Sequence, residues 1–281
     1  MSKTKERIRE SNLRYKHELG QHFLFDEDLL NVLVDDAGVT KDIDVLEIGP
    51  GAGTLTKPLC EKAGRVVSLE LDERLIPLLE AYMSPYDNFT LKQGDVMFTD
   101  LQEITKDLRK PFAVVANIPY YITTPLIQRL LTCGIEIDRI AVMIQKEVAD
   151  KILAQPGDEA WGPLSVRCQY ACECEMTRIV PRACFTPPPK VDSAFVVMKK
   201  RETPPVTVKS EKDFFRAVNA GFSLRRKTLV NALNAGLHYR KEQGEQIVAG
   251  AGLDLKVRAE RLTMEEWARV ADLVTETEAE R

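Results

Sequence analysis

The most informative short motif of the sequence is Asn117-Ile118-Pro119-Tyr120, which follows an apolar run of strand character. It combines a carboxamide, a proline that fixes the chain and leaves neighbouring carbonyls free, and an aromatic ring, and these groups suit a planar aromatic amine. Such an amine is a poor nucleophile because its lone pair is delocalised into the ring. Two acceptors, the Asn117 side-chain oxygen and the carbonyl of Ile118 or Pro119, would hold both amino hydrogens and favour the pyramidal nitrogen that attacks a methyl donor. The motif therefore predicts group transfer by positioning and electrostatics, with neither a covalent intermediate nor a metal.

A glycine-rich turn follows the first strongly apolar strand, where residues 45–48 run into Gly49-Pro50-Gly51-Ala52-Gly53. Such a turn lets the backbone approach a ligand closely and directs amide groups at it. The next two predicted strands end in Glu70, which suits the hydroxyls of a ribose, and in Asp95, which suits an adenine amino group. These features fit a nicotinamide dinucleotide as well as S-adenosylmethionine. The Asn117 motif separates the two cofactors, because a dehydrogenase has no need for it.

The elements that would position these residues alternate between short apolar runs and helical patterns from about residue 44 to residue 145. This alternation is typical of βαβ units and predicts a mainly parallel, doubly wound sheet. A helix with an Asp26 cap and a Gly38 stop would cover one edge. Two later strand-like runs, on either side of a proline-rich loop, would add antiparallel strands. Helical patterns follow a proline linker, so we expect an α/β domain over residues 1–203 and a small all-α domain over residues 204–281.

Composition bounds the class of protein. The 281 residues are 44% hydrophobic and 29% charged, which is the balance of a soluble globular chain. No apolar run approaches the roughly 20 residues of a membrane-spanning helix, and the N-terminus lacks the apolar core of a signal peptide, so we expect a cytoplasmic protein. The six cysteines do not form the C-x-x-C pairs of a structural zinc site, so no metal is predicted. Without an exposed apolar stripe in the pattern, we also expect a monomer.

The net charge of −4 conceals two basic clusters. Distribution of charge bears more on nucleic-acid binding than its sum. One cluster is Arg225-Arg226-Lys227. The other is an N-terminal arm that carries Lys3, Lys5, Arg7, Arg9, Arg14 and Lys16. Charge alone leaves open whether these clusters bind phosphates or are solvated faces.

Four motifs occur together and in order: Gly20-Gln21-His22-Phe23-Leu24, the turn Glu47–Gly53, the motif Asn117–Tyr120, and Phe185-Thr186-Pro187-Pro188-Pro189-Lys190-Val191-Asp192-Ser193-Ala194. In this combination the chain resembles the KsgA-type family of ribosomal RNA adenine N6,N6-dimethyltransferases over almost its whole length. The resemblance implies a Rossmann-like class I methyltransferase domain, with a mainly parallel seven-stranded sheet and a late antiparallel strand, plus a small helical domain. It implies S-adenosylmethionine as cofactor. The implied substrate is two adjacent adenosines near the 3′ end of small-subunit ribosomal RNA, each dimethylated during maturation of the small ribosomal subunit.

The resemblance also assigns residues. Asn117 and Pro119 would act at the target amine, and Tyr120 and Phe185 would stack on the two faces of an adenine that has left its own stack. His22 stands where asparagine is common in the family, and a backbone contact would survive that change. The cofactor site would comprise His22, Leu24, Gly49, Gly51, Gly53, Glu70, Asp95 and Asn117. RNA would be held by the N-terminal arm and by Arg225, Arg226 and Lys227 through salt-sensitive phosphate contacts.

Three other functions share part of this pattern. A sister adenine methyltransferase that acts on large-subunit RNA has the same glycine turn and the same Asn-x-Pro-Tyr turn. A non-catalytic ribosome-assembly factor could use the same surface to inspect immature subunits, although the intact acceptors favour catalysis. A nicotinamide-dependent dehydrogenase would explain the glycine turn and Glu70 but not the Asn117 motif.

Overall fold

The computed structural model describes residues 22–279, which divide into two compact units. Unit 1 contains residues 22–149 and 174–200, and unit 2 contains residues 150–173 and 201–279. The chain therefore leaves unit 1, returns to it for one stretch, and then completes unit 2.

The elements up to residue 200 are, in chain order, β1 (Phe23–Leu24), α1 (Glu27–Asp36), β2 (Val45–Ile48), α2 (Thr56–Lys62), β3 (Val66–Glu70), α3 (Ile76–Met83), β4 (Phe89–Gln93), α4 (Leu101–Ile104), β5 (Phe112–Asn117), α5 (Thr123–Thr132), β6 (Ile137–Gln145), α6 (Lys146–Leu153), α7 (Pro163–Ala171), β7 (Cys172–Val180), β8 (Phe185–Thr186) and β9 (Ser193–Lys200). From β2 to β6 the elements alternate between strand and helix, as predicted for residues 44–145. The helices that follow are α8 (Glu211–Phe222), α9 (Leu229–Leu237), α10 (Lys241–Gly250) and α11 (Met264–Ala279).

Seven strands form one sheet in the order β4-β3-β2-β5-β6-β9-β7. The pairs from β4 to β6 are parallel, and β9 is antiparallel to β6, with Ile140 opposite Met198. This confirms the predicted mainly parallel sheet with a late antiparallel strand. The carboxyl ends of β2, β3, β4 and β5 lie at one edge, where ligands of open α/β sheets bind.

The central strands are apolar because helices cover both faces of a parallel sheet. Every residue of β2 and β3 is buried, including three polar ones, Glu47, Ser68 and Glu70. The predicted first helix is also confirmed, since Asp26 caps α1 by accepting a hydrogen bond from the Leu29 N–H at 3.1 Å.

A separate two-stranded sheet joins β1 to β8. The strands are antiparallel, with Phe23 opposite Thr186 and Leu24 opposite Phe185. Two segments about 160 residues apart in sequence therefore form one small layer in unit 1.

Unit 2 has its own apolar core, which includes Trp161, Phe214 and Trp267. The Trp161 indole N–H donates a hydrogen bond to the Leu262 carbonyl at 3.1 Å. The segment 150–173 therefore packs with the C-terminal helices, whereas the predicted division placed it before residue 203. The assignment of RNA binding to residues 204–281 stays a prediction.

Candidate active site

A cavity of about 410 Å³ lies in unit 1 at the carboxyl ends of the parallel strands. This volume falls in the range of small-molecule sites, which is about 300 to 1,000 Å³. Its walls come from the turns that follow β2, β3, β4 and β5 and from the β1 segment. The cavity brings together most of the predicted site residues: His22, Leu24, Gly49, Gly51, Glu70, Asp95, Asn117, Pro119 and Tyr120.

The three glycines of the turn have different roles. All three have positive φ, the left-handed region that favours glycine. At Gly49 an added Cβ would meet nothing within 4 Å, so the backbone itself forms the wall of the cavity. At Gly51 it would come within 2.8 Å of the Phe23 ring. Gly53 does not line the cavity, and its Cβ would lie 2.9 Å from Tyr82 and 3.1 Å from Leu79. Gly53 therefore allows α3 to pack closely on the turn, and its predicted cofactor contact stays a prediction.

Replacing Gly53 with alanine is expected to lower the free energy of unfolding by about 1 to 3 kcal/mol. The substitution adds backbone strain at φ +78° and a clash with Tyr82. Urea denaturation measures the loss. Gly134→Ala is the matched control, because Gly134 has φ +71° and open space around it, so its loss reports backbone strain alone. Equal losses in the two variants would contradict the packing role of Gly53.

Glu70 closes β3 and ties the glycine turn to it. One carboxylate oxygen accepts a hydrogen bond from the Gly51 N–H at 2.9 Å, and the other accepts from the Asp72 N–H at 2.8 Å. A carboxylate has about four lone-pair sites, so Glu70 can still accept a hydrogen bond from a hydroxyl group. Burial raises the pKa of Glu70 above its ordinary value.

Asp95 lies after β4 in a tight turn. Its Oδ1 accepts a hydrogen bond from the Met97 N–H at 2.8 Å. The carboxylate therefore caps its own loop and also lines the cavity.

Asn117 is the last residue of β5 and its side-chain amide is oriented by one hydrogen bond. Nδ2–H donates to the His22 carbonyl at 2.9 Å, and Oδ1 has no partner among residues 22–279. The Pro119 carbonyl accepts from the Ile122 N–H at 3.1 Å, whereas the Ile118 carbonyl accepts no backbone hydrogen bond in the same range. Of the two carbonyls that the sequence left open, Ile118 is therefore the better second acceptor.

Tyr120 presents the aromatic face at this end of the cavity. Its hydroxyl shares a hydrogen bond with Ser193 Oγ at 2.8 Å, and burial raises its pKa. The His22 ring stacks on it, with 5.6 Å between ring centroids. The His22 Nδ1–H donates to the Pro187 carbonyl at 2.7 Å. The His22 backbone carbonyl thus accepts a hydrogen bond from Asn117, and the His22 side chain donates one to the proline-rich loop.

Phe185 is not at the cavity. Its side chain is only 3% exposed and belongs to the core of unit 1, where it lies on β8 opposite Leu24. The predicted sandwich with Tyr120 is therefore not formed in this structure. The reason is strand pairing, which turns Phe185 inward and leaves Thr186 half-buried.

Glu47 is a site residue that the sequence analysis missed. It lines the cavity but is 1% exposed, and one oxygen accepts hydrogen bonds from Thr56 Oγ1 at 2.8 Å and Ser68 Oγ at 2.6 Å. The other oxygen, Oε1, is buried without a partner in the described chain. Burial raises the pKa of this carboxyl to about 7. The sequence feature that could have identified Glu47 is a glutamate inside an otherwise apolar strand.

The basic cluster Arg225-Arg226-Lys227 lies in unit 2, on the exposed connection between α8 and α9. None of its three side chains forms an ion pair within the described chain, although Arg225 donates a hydrogen bond to the Glu159 carbonyl at 2.5 Å. The predicted N-terminal basic arm lies outside the described residues.

Between residues 22 and 279, no group of three or more metal-ligating side chains comes together, and no helix is long and apolar enough to span a bilayer.

Comparison with known proteins covers nearly the whole chain. A family model described as ribosomal RNA adenine dimethylase matches residues 12–276. The chain is 43% identical, over 269 residues, to "Ribosomal RNA small subunit methyltransferase A" of Clostridium acetobutylicum, which covers 96% of this chain and 97% of the relative. A relative of the same name from Enterococcus faecalis is 42% identical and covers 96% of this chain and 94% of its own.

Solved structures agree with these relatives. A dimethyladenosine transferase from Plasmodium falciparum superposes with a TM-score of 0.76 at 26% identity, covering 89% of this chain and 96% of that one. The 23S rRNA methyltransferase ErmE superposes with a TM-score of 0.68 at 27% identity, covering 90% of this chain and 99% of that one.

Proposed function

The chain belongs to the ribosomal RNA adenine dimethylase family. We propose that it transfers methyl groups, in the cavity of unit 1, to the N6 atoms of two adjacent adenosines in small-subunit ribosomal RNA. The chain is 42–43% identical to small-subunit enzymes and 27% identical to a large-subunit one, which favours the small-subunit substrate. The observation that carries the proposal is the Asn117 amide, whose Nδ2–H is bound to His22 so that Oδ1 is left to accept from the target amine.

The residues of the cavity fit S-adenosylmethionine. The turn at Gly49 leaves open space that any side chain would fill, and Glu70 and Asp95 offer acceptors for a ribose and an adenine amino group. When bound, S-adenosylmethionine supplies a methyl group activated by a positively charged sulfur. We assign the contacts with S-adenosylmethionine to those predicted cofactor residues that line the cavity: His22, Leu24, Gly49, Gly51, Glu70, Asp95 and Asn117. Gly53 has only a packing role in this proposal.

Asn117 Oδ1 and the Ile118 carbonyl would each accept one hydrogen of the target amino group. This pair of hydrogen bonds draws the nitrogen lone pair out of conjugation and directs it at the methyl carbon. The nitrogen takes the methyl group and gives one proton to solvent. Tyr120, fixed by Ser193, stacks on one face of the base, while Pro119 sets the backbone turn that presents the Ile118 carbonyl.

Transfer of labelled methyl from S-adenosylmethionine tests this function. Undermethylated small ribosomal subunits and naked large-subunit RNA are offered in parallel, and the nucleosides are analysed after nuclease digestion. We expect dimethyladenosine in the small subunit only. Label confined to large-subunit RNA would assign the chain to the sister activity, and binding to particles without any methylated adenosine would leave only the assembly-factor role.

Arg225, Arg226 and Lys227 are proposed to contact RNA phosphates. Replacing all three with alanine is expected to weaken binding to small subunits. It is also expected to reduce the slope of the logarithm of the binding constant against the logarithm of the salt concentration by an amount that corresponds to up to about three phosphate contacts. Titrations at several salt concentrations measure both quantities. An unchanged slope would contradict the assignment. Because the substrate is a ribosomal particle, we also propose a cytoplasmic enzyme that acts on immature subunits, and that it is a monomer stays a prediction from the sequence.

A further inference from the structure

Three of the large apolar side chains that are exposed in residues 22–279 stand at the cavity. Leu71 is 46% exposed, Phe98 is 86% exposed and Tyr121 is 58% exposed, and all three line the cavity wall. They follow β3, β4 and β5 respectively, so they share the carboxyl edge of the sheet. Exposed apolar side chains that gather at one site mark a binding surface.

Phe98 is the most exposed of the three, yet its backbone is firmly held. The Asp95 carbonyl accepts hydrogen bonds from the Phe98 N–H at 3.0 Å and the Thr99 N–H at 2.8 Å. The Arg129 guanidinium donates to the Met97 and Thr99 carbonyls, both at 2.7 Å, and so clamps the residues on either side of Phe98. The turn therefore presents an aromatic ring to solvent in a fixed position.

Arg129 lies on α5, which is a different element from the loop that its side chain holds. The Arg129 Nε–H is buried without a partner in the described chain, so the side chain leaves one donor unsatisfied while it fixes the two carbonyls. The two hydrogen bonds from the Arg129 guanidinium thus keep the Phe98 loop in one conformation.

We propose that Phe98 stacks on a nucleobase of the RNA substrate next to the target adenosine. This inference rests on the proposed function and adds an RNA contact at the solvent-exposed part of the cavity wall. A ring that is 86% exposed offers its face to a partner arriving from solution, whereas a ligand inside the cavity meets buried residues such as Val96. Stacking on an aromatic ring is available to every base, so this contact would position the RNA strand without reading its sequence.

The test compares Phe98→Ala, Phe98→Trp and the control Ile179→Ala, which removes an exposed apolar side chain from β7. With undermethylated small subunits as substrate, Phe98→Ala is expected to raise KM about tenfold, which corresponds to about 1.4 kcal/mol, and to leave kcat within about twofold. Phe98→Trp is expected to restore KM, and Ile179→Ala to leave it unchanged. The dissociation constant of S-adenosylhomocysteine is expected to be the same in all four proteins.

Two outcomes would overturn the proposal. An unchanged KM in Phe98→Ala would remove Phe98 from the RNA surface, and weaker S-adenosylhomocysteine binding with an unchanged KM would assign the ring to the cofactor. Particle affinity is measured in parallel by direct binding, so the role of Phe98 is determined even if the unaltered protein transfers no methyl group. That last result would contradict the proposed function instead.

Arg129 is a positioning residue in this proposal. Arg129→Lys retains the charge but not the two-pronged donation. Arg129→Lys is expected to raise KM, as Phe98→Ala does. The double variant is expected to have the same KM as Phe98→Ala alone, because Arg129 acts only by positioning the Phe98 ring, which the double variant lacks. Fully additive effects would contradict the clamp.

Discussion

Replacing Asn117 with alanine is expected to lower kcat for methyl transfer about 100- to 1,000-fold, the usual effect of removing one pre-oriented hydrogen-bonding group from an active site. The variant loses the Oδ1 acceptor for the target amine and also the Nδ2–H donated to His22. The first transfer needs both acceptors and the second product forms only from the first, so N6-methyladenosine and N6,N6-dimethyladenosine are expected to fall together. Single-turnover transfer of labelled methyl to small subunits measures the effect.

Two further variants separate the functions of the Asn117 amide. Asn117→Asp retains an acceptor but places a carboxylate oxygen against the His22 carbonyl, so we expect an intermediate kcat and a lower stability. Asn31→Ala is the matched control, because it removes an asparagine whose Nδ2–H donates to a backbone carbonyl at 2.9 Å on the exposed face of α1. If Asn117→Ala kept kcat within about fivefold of the unaltered protein, the amide would not hold the amine.

Replacing Glu47 with glutamine is expected to stabilise the protein at pH 8 by up to roughly 3 kcal/mol and to have little effect at pH 5. Glutamine can accept from Thr56 and Ser68 through its single oxygen, as the present Oε2 does. The protonated carboxyl already leaves one polar group without a partner, so the amide adds no new cost of this kind. The measurement is the free energy of unfolding in urea from pH 5 to pH 8.

The direction of this pH dependence follows from proton binding. The ordinary pKa of glutamate is 4.5, and burial raises the pKa of Glu47 to about 7 in the folded protein. Folded chains therefore bind this proton more tightly than unfolded chains, so the stability of the unaltered protein falls as pH rises from about 4.5 to about 7 and then levels off. The gap between the two pKa values corresponds to roughly 3 kcal/mol. Glutamine does not titrate and lacks this dependence.

Glu80→Gln serves as the control, because Glu80 is exposed on α3 and its removal changes the net charge equally. We expect its stability to follow that of the unaltered protein at every pH. A Glu47→Gln variant with the same pH profile as the unaltered protein would mean that Glu47 titrates near its ordinary value.

The parallel sheet and the position of the cavity could be predicted because both depend on local sequence. Buried strands followed by glycine or a polar acceptor recur from Val45 to Tyr120, and parallel strands bring their carboxyl ends to one edge whatever the details of packing. The acceptors Glu70, Asp95 and Asn117 were therefore located by their position after a strand.

The residues that were misassigned or missed depend on partners far away in sequence. Phe185 turns toward the core because β8 pairs with β1, and no local pattern reports that pairing. Glu47 is tolerated in a buried strand because Thr56 and Ser68 from other elements donate to it. The segment 150–173 belongs to unit 2 because Trp161 fills a core built from helices that follow residue 210.

The hydrogen bond from Asn117 to His22 works as a clasp between the target acceptor and the β1 wall. This wall is held by two residue pairs to β8 and by the His22 contact to Pro187. The orientation of the Asn117 amide therefore depends on the pairing of β1 with β8, and a substitution that loosens this pairing would misalign the acceptor without replacing it.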